Sequence, residues 1–479
     1  MKSLRSIFGG DIRQFSMLGA LVALIVFFQI ATGGKVLTSS NMMNLINGNS
    51  YVLILAIGMV MVIVVGHIDL SVGSVAAVTG IIVAIALRDW GIPWWVGLLL
   101  GLAVGAAIGT WQGTWVAYVG IPGFITTLAG MMIFRGLNQF IGKSNSVPVP
   151  EEFQRMGGGY LPEIGPNTGF NNPTLLLGIL ACAYVIWREI SKRRRAARVG
   201  FEPDPIYVAA IRAGLLIAVI SYATYLFGTG REGTSFPIPG VILVALVVIY
   251  HIVTQRTKLG RHVYAVGGNR AAAALSGVST KRTYFFVMAN MSVLAAFAGM
   301  MFIGRSRASG PFDGTMWELD AIAAVFIGGA AVTGGIGTVT GSIIGGLVMA
   351  TLNNGLQLMG VGSDRTQIIK GLVLLAAVAF DVWNKSQGRP SITGLLFRRP
   401  PKPGELPDGG QPALAMAGAT AGAAQAVVPG GGSSAAGVVG AHQDQSTATH
   451  GADPGAAEYP PPPETSHSTR NAREGNQER

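Results

Sequence analysis

The stretch VVGHIDLSVGS, residues 64–74, places two ionisable side chains inside an otherwise apolar part of the chain. One residue separates His67 from Asp69, and Ser71 follows two residues later. A histidine and a carboxylate at this spacing could relay a proton. Alternatively, the carboxylate could accept a hydrogen bond from the free backbone N–H of Ser71 or Val72 where a helix begins. The second interpretation predicts that Asp69 is an N-cap.

The remaining motifs do not predict a nucleotide-binding site or a metal site. GLNQFIGKS, residues 136–144, has five residues between its glycines where a phosphate-binding loop needs four, and GGIGTVTG, residues 334–341, misses the dinucleotide fingerprint by one spacer. The six histidines show no metal-ligand spacing, and the single cysteine, Cys182, lies in an apolar run that predicts a core position. The sequence therefore predicts a protein that is not an enzyme and uses no metal and no cofactor.

A second stretch with a distinct pattern is GRHVYAVGGNRAAAALSGVSTKRT, residues 260–283. Ala271 to Ser276 predict a short helix that Gly277 ends. Such a helix could lie on a bilayer surface or dock into a partner protein. Alanine-rich loops are common, so the residues alone favour the surface helix.

Polar side chains at membrane depth are the usual candidates for a transport path. For each candidate here, a hydrogen bond between helices or a helix cap is the more common role. Glu318 and Asp320 would begin a helix, where the dipole favours acids. The candidates are His67, Asp69, Ser71, Asn290, Asp320, Asn353, Asn354 and Gln357.

The elements that hold these residues must be membrane helices. Half of the 479 residues are hydrophobic, 12% are charged, and the mean hydropathy is +0.48. A membrane span needs about 20 apolar residues, and such runs predict an all-α, polytopic transmembrane helix bundle of about twelve spans. The first run is too long for a signal-peptide core and predicts an uncleaved helix. The predicted spans are 16–32, 50–66, 70–87, 94–118, 122–141, 174–188, 206–228, 236–254, 284–304, 318–333, 339–359 and 367–383.

Basic loops predict the orientation, because short loops rich in Lys and Arg stay in the cytoplasm. Alternation from a cytoplasmic N-terminus, residues 1–15, places the basic segments 187–200, 254–282 and 384–391 inside and the loop 142–173 outside. The net charge of +11 then reflects loops beside anionic lipid headgroups rather than nucleic-acid binding. The transmembrane domain is predicted over residues 16–385.

Residues 386–479 are rich in Pro, Gly and Ala and predict a disordered cytoplasmic tail. Glycine is also ordered inside two predicted helices, where it recurs at every fourth residue. Such ladders let helix backbones approach closely, which predicts packing rather than ligand binding. The ladders are Gly97, Gly101, Gly105, Gly109 and Gly113, and Gly337, Gly341 and Gly345.

Four motifs, in the same order, resemble the membrane subunits of ABC importers for monosaccharides, the ribose/xylose-type permeases. They are GHIDLSVGS, YAVGGNRAAAALSGVS, ELDAIAAVFIGGAAVTGGIGTVTGSIIGG and LNNGLQLMGV, and the likeness extends from about Tyr51 to Lys385. The resemblance implies a multi-pass permease of the cell membrane that forms a homodimer. It also implies two partners, an ABC ATPase and an extracytoplasmic sugar-binding protein.

The resemblance also assigns the ATPase-coupling loop. The matching residues are Gly267, Gly268, Asn269, Arg270, Ala272, Ala273, Leu275, Ser276 and Gly277. Many relatives have an acid where Ala271 stands, so a charged docking contact would come from Arg270, Lys281 or Arg282. Ribose-type members commonly place glycine at the position of His67, and a histidine there is more similar to relatives that carry xylose, arabinose or several sugars.

Three other functions stay open at this point. Permeases for branched-chain amino acids are related, although they lack the Ile-Asp-Leu-Ser-Val pattern. A proton-coupled secondary transporter could use His67 and Asp69, but other intramembrane acids for a relay are scarce. A channel is the third alternative.

Overall fold

The chain is described by a computed structural model, which covers residues 12–166, 168–198, 200, 205–229 and 235–386. The start of the predicted cytoplasmic N-terminus and the predicted disordered tail lie outside these residues. The α-helices are α1 (Ile12–Ala31), α2 (Ser39–Val64), α3 (Val72–Asp89), α4 (Trp94–Thr114), α5 (Gly123–Ile141), α6 (Glu151–Gly158), α7 (Asn172–Arg198), α8 (Ile206–Gly228), α9 (Ile238–Arg256), α10 (Lys258–Gly268), α11 (Arg270–Leu275), α12 (Thr280–Ser306), α13 (Trp317–Ile327), α14 (Val339–Leu358) and α15 (Ser363–Ser386).

The predicted all-α bundle is confirmed. Among the described residues, eight helices are long and apolar enough to cross a membrane: α2, α3, α4 with the π-helix Trp115–Val119 that continues it, α7, α8, α9, α12 and α14. Each of the twelve predicted spans overlaps a helix. The agreement follows from the long apolar runs, which only helices can carry through a bilayer.

The predicted span 318–333 differs most from the structure. Its helix, α13, has 11 residues, about 16 Å at ~1.5 Å per residue, which is too short to cross a membrane. The chain continues through residues 328–338 without α-helix. Five glycines in this segment, of which Gly329, Gly334 and Gly335 have positive φ, explain why the apolar run does not continue as a helix.

Helix α12 forms the centre of the bundle and packs against α2, α3 and α4. The predicted role of the glycine ladder in α4 is confirmed: Gly97 lies against Leu87 of α3, and the other four glycines lie against α12, which runs antiparallel to α4. A Cβ would meet Met300 at Gly101, Ala296 at Gly105, Ala289 at Gly109 and Phe285 at Gly113.

Two glycines of the second ladder bring α14 against α13, whereas the third, Gly337, lies before α14 and packs against Val60 and Val64 of α2. A Cβ at Gly341 would meet the Gly328 backbone, and one at Gly345 would meet the Ala324 carbonyl. These contacts hold the short helix α13 inside the bundle without a long side chain between the backbones.

The two ends of the bundle differ. At one end, which we call the α11 end, lie the last residue of α2, the helices α10 and α11, the start of α12 and the segment 328–338. At the other end, β1 (Val147–Pro148) pairs antiparallel with β2 (Ala308–Ser309) directly after α12. Strand β1 and helix α6, which belong to the predicted outer loop 142–173, thus lie at the end opposite α11.

Cys182 does not lie in the core. It is half-buried on α7 and lines a groove between α7 and α8, the two described spans with the least buried surface. The apolar run around it faces outward, because a span in lipid needs apolar side chains even where no protein covers them.

Candidate functional site

The segment between α2 and α3 turns back into the bundle. Val64 ends α2 at the α11 end, beside Gly267. Helix α3 begins at Val72, one turn before Ala76, and Ala76 lies against Gly299 in the second half of α12. The interruption seen in the sequence is therefore a non-helical segment, residues 65–71, that runs from the α11 end to the interior.

Asp69 shapes the interior end of this segment. Its Oδ1 accepts hydrogen bonds from the backbone N–H of Ser71 at 2.8 Å and from the Ser71 hydroxyl at 2.7 Å. The predicted acceptor role is confirmed. The predicted N-cap position is wrong by two residues, because Ser71 is the N-cap residue of α3 and makes no side-chain cap bond. Asp69 instead closes an Asx turn directly before the helix.

Two residues outside the predicted set complete this turn. The Gln112 amide on α4 donates to the Ser71 hydroxyl at 2.7 Å, and the Thr127 hydroxyl on α5 accepts from the Leu70 N–H at 3.1 Å. Gln112 and Thr127 are both fully buried. A buried amide and a buried hydroxyl in apolar helices are the sequence signal that could have identified them.

His67 lies nearer the α11 end than Asp69 does. Its ring packs edge-on against Tyr284 of α12, with centroids 4.5 Å apart, and it fills the space that the missing side chain of Gly123 leaves at the start of α5. Among the described residues its Nε2 has no hydrogen-bond partner, and no hydrogen bond joins it to Asp69. His67 and Asp69 thus act on different neighbours.

Helix α11 has the predicted form, shifted by one residue to Arg270–Leu275. The Asn269 side chain caps it by accepting from the Ala272 N–H at 2.9 Å. Gly277 follows with a left-handed φ of +82°, which confirms it as the residue that ends the helix.

The outer face of α11 is open. Leu275 is 91% exposed, whereas Ala273 is buried against the bundle. Arg270 places its guanidinium carbon 5.4 Å from the centre of the Tyr284 ring, the ring that also contacts His67. A chain of contacts therefore leads from α11 through Tyr284 to His67.

A second contact links α11 to the interior through glycines. A Cβ at Gly267 would overlap the Val64 carbonyl oxygen, and this oxygen accepts a hydrogen bond from the Gly335 N–H at 2.8 Å. We call Val64, Gly267 and Gly335 the backbone junction. It joins the end of α2, the end of α10 and the segment 328–338.

Tyr264 of α10 fixes the same segment from the side. Its hydroxyl donates to the Gly337 carbonyl at 2.7 Å. Burial raises the pKa of the Tyr264 phenol, so the hydroxyl keeps the proton that it donates. Helix α10 and segment 328–338 are thus held together at two points.

Two of the predicted path residues serve as links between helices. The Asn290 carbonyl oxygen accepts from the Tyr250 hydroxyl at 2.5 Å, which joins α12 to α9. Asn354 and Asn41 exchange two amide hydrogen bonds of 2.8 and 2.9 Å, which join α14 to α2. Paired in this way, they hold helices together as buried amides usually do.

The other path candidates gather around the start of α13 and beside α15. Both Glu318 and Asp320 lie in the first turn of α13, as predicted. Asp320 pairs with Lys370 of α15 at 2.5 Å, and Glu318 lies 3.8 Å from Arg135 of α5. Each acid therefore faces a cation from a different helix. Asn353 and Gln357 line a polar pocket between α14 and α15.

Comparison with known proteins places this arrangement in context. The model of one family, described as the permease component of branched-chain amino acid transport systems, matches residues 41–378. The chain is 37% identical over 380 residues to the xylose transport system permease protein XylH of Haemophilus influenzae, an alignment that covers 79% of this chain and 98% of that protein.

Two further relatives show similar coverage. The xylose transport system permease protein XylH of Escherichia coli K12 is 36% identical over 375 residues, 78% of this chain and 92% of that protein. The ribose import permease protein RbsC of the same organism is 33% identical over 370 residues, 77% of this chain and 94% of that protein. No solved structure gave a significant match.

Proposed function

The chain belongs to the family of branched-chain amino acid transport system permease components, and from this premise we propose that it carries a monosaccharide across the membrane as the permease subunit of an ABC importer. It is a multi-pass protein of the cell membrane, and the role of its family is transport rather than catalysis. That role implies an ABC ATPase and a substrate-binding protein as partners.

A sugar is the substrate that the relatives favour over a branched-chain amino acid. The xylose permeases match over more than nine tenths of their own length, and the ribose permeases over 94%. The family description alone names branched-chain amino acids. Since the whole-length matches are to sugar permeases, a xylose-like pentose or a related hexose is the proposed cargo.

The exposed α11 is the proposed ATPase-docking element, and the coupling loop is Gly267 to Gly277. Leu275 exposes its apolar side chain to solvent, and such side chains commonly fill a pocket on a partner protein. In this proposal the α11 end lies in the cytoplasm, the side that the basic loop 254–282 predicts, as do the N-terminal segment 1–15 and the tail 386–479. Residues 16–385 then form the permease domain.

Coupling between ATP hydrolysis and the path would run through the backbone junction. Because Gly267 and Val64 touch without a side chain between them, a displacement of α11 reaches the end of α2 directly. The segment 65–71 continues from there to Asp69 in the interior. The contact between Gly267 and Val64 is the single observation that carries this proposal.

The path itself is proposed to lie between two copies of the chain. Arg135 of α5, Asp320 of α13 and Lys370 of α15 come from three helices and keep part of their side chains exposed, 38, 17 and 19% respectively. Charged groups that face lipid are costly, so this face suits a polar path shared by a homodimer. In this arrangement His67 and Asp69 do not line the path but hold the segment 65–71 that lies behind it.

Uptake in whole cells tests the proposed substrate. Cells that lack their own pentose and branched-chain amino acid carriers would express the chain together with its ATPase and binding protein, and would be given labelled xylose, ribose or leucine. We expect sugar uptake that unlabelled xylose competes with and leucine does not. Uptake of leucine alone would assign the chain to amino acids.

A further inference from the structure

A pocket of about 230 Å³ lies between the end of α14 and the start of α15, and most of its lining residues are polar. Three amides, two hydroxyls and one ammonium group surround it. Its lining residues are Asn353, Gln357, Val361, Ser363, Thr366, Gln367 and Lys370.

The spacing of these residues places polar side chains on the face of each helix that lines the pocket. Asn353 and Gln357 are four residues apart on α14, and Ser363, Gln367 and Lys370 follow at four and three residues on α15. Residues at such spacing share one face of a helix. Asn353 is half-buried, Gln357 and Gln367 are exposed, and none of the three side chains is bonded to another described residue, so their amides are available to a ligand.

The neighbouring Asn354 makes the contrast clear. Its amide forms two hydrogen bonds with Asn41. Helix packing therefore explains the asparagine at position 354. Packing gives no such account of Asn353, which faces the pocket.

The pocket carries little net charge. Lys370 is its one charged lining residue, and Asp320 pairs with this ammonium at 2.5 Å. An anion would have to compete with Asp320, and the charged ends of an amino acid would each need a partner of their own. Amides, in contrast, both donate and accept, as sugar hydroxyls do.

We propose that this pocket is a sugar-binding subsite of the transport path, which takes one neutral polyhydroxy molecule of about pentose size. The inference rests on the proposed function and adds the residues that meet the cargo. Pockets for drug-sized ligands measure about 300–1,000 Å³, so the smaller volume fits a monosaccharide. The unpaired amides hydrogen-bond the hydroxyls, and the pair of Asp320 and Lys370 closes one side.

Leucine substitutions test the subsite in the complete importer reconstituted with its ATPase and binding protein. We expect Asn353→Leu and Gln367→Leu each to lower xylose uptake about tenfold, the loss expected for one or two hydrogen bonds, with the melting temperature unchanged. Asn354→Leu should instead lower the melting temperature, because it breaks the pair with Asn41. Gln367 is exposed, so its substitution does not disturb packing even if Asn353→Leu does.

Cysteine labelling gives a direct readout of occupancy. The chain has one cysteine, so Cys182→Ala provides a background for Gln357→Cys inside the pocket and Met359→Cys outside it, where the Met359 side chain is 47% exposed. Saturating xylose should slow thiol labelling at position 357 severalfold and leave labelling at 359 unchanged.

The outcomes separate the subsite from the function. Wild-type sugar uptake, with unchanged uptake in Asn353→Leu and Gln367→Leu and no protection at 357, would overturn the subsite and leave the importer intact. Leucine uptake without sugar uptake by the wild type would overturn the proposed function first. Protection of 357 and 359 alike would mean that xylose acts at a distance, and this too would overturn the subsite.

Discussion

The α-carbon of Gly267 packs against the carbonyl oxygen of Val64, so that no side chain fits between α10 and the end of α2. The same carbonyl accepts the Gly335 N–H at 2.8 Å. Since these contacts join backbones rather than flexible side chains, a shift of α10 and α11 cannot be absorbed locally. Three elements that are distant in the sequence must move together.

Gly267→Ala should weaken coupling. The added methyl overlaps the Val64 carbonyl and forces the junction apart, at a cost of about 1–3 kcal/mol, typical of overpacking. We expect ATP hydrolysis to persist in the reconstituted complex but to lose its stimulation by the sugar-loaded binding protein, while xylose uptake falls about tenfold or more.

Gly268→Ala is the matched control, because a Cβ at Gly268 meets nothing within 4 Å. It should hydrolyse ATP and transport as the wild type does. Equal ATP hydrolysis and equal uptake by Gly267→Ala and Gly268→Ala would show that coupling does not depend on the backbone junction.

Gly277→Val should uncouple hydrolysis from transport for a different reason. No atom lies within 4 Å of a Cβ at this position, but its φ is +82°, a conformation that costs a residue with a side chain about 1–2 kcal/mol. The end of α11 would therefore be remodelled while membrane insertion survives. Gly268→Val is the control, because Gly268 is exposed in the same loop and has no positive φ. In this variant ATP hydrolysis should stay coupled to transport. Normal sugar-stimulated hydrolysis in Gly277→Val would refute the coupling-loop assignment.

Asp69→Asn should keep most transport, and Asp69→Leu should lose it. Asn retains an oxygen that accepts from the Ser71 N–H, whereas Leu leaves that buried N–H without its partner, at a cost of about 1–3 kcal/mol. Uptake per correctly assembled complex, with assembly judged by size-exclusion chromatography, measures both variants.

The result for Asp69→Asn also decides about proton transfer. Asp69 Oδ2 and His67 Nε2 are buried and lack hydrogen-bond partners within the described ranges, and a relay through these two atoms is the competing explanation. A well-assembled Asp69→Asn complex that transports nothing, set against a wild type whose uptake depends on pH, would favour the relay.

The helices were predictable because each carries a long apolar run, and the glycine ladders were predictable because their period places them on one face. The short α11 was also predictable, since alanines end at a glycine there. The sequence predicts that Asp69 accepts from the N–H of Ser71 or Val72, and its carboxylate accepts from Ser71 at 2.8 Å. These features depend on neighbours within a few residues.

The remaining features depend on contacts between distant segments. The sequence shows an apolar run at 318–333 but not that glycines stop its helix at Ile327. No sequence pattern links Gly267, Val64 and Gly335, which meet at the backbone junction. Nor does the sequence show that Asn354 pairs with another helix while Asn353 faces the pocket. The partners across the bundle, Asn41 for Asn354 and Lys370 for Asp320, become visible only in three dimensions.

The energy source of transport tests the central claim most directly. The purified chain would be placed in proteoliposomes, alone or with its ATPase and binding protein, and the uptake of labelled xylose would be measured with internal ATP or with an imposed proton gradient. We expect uptake only when ATP, ATPase and binding protein are all present. Xylose uptake by the chain alone, driven by the proton gradient, would contradict it.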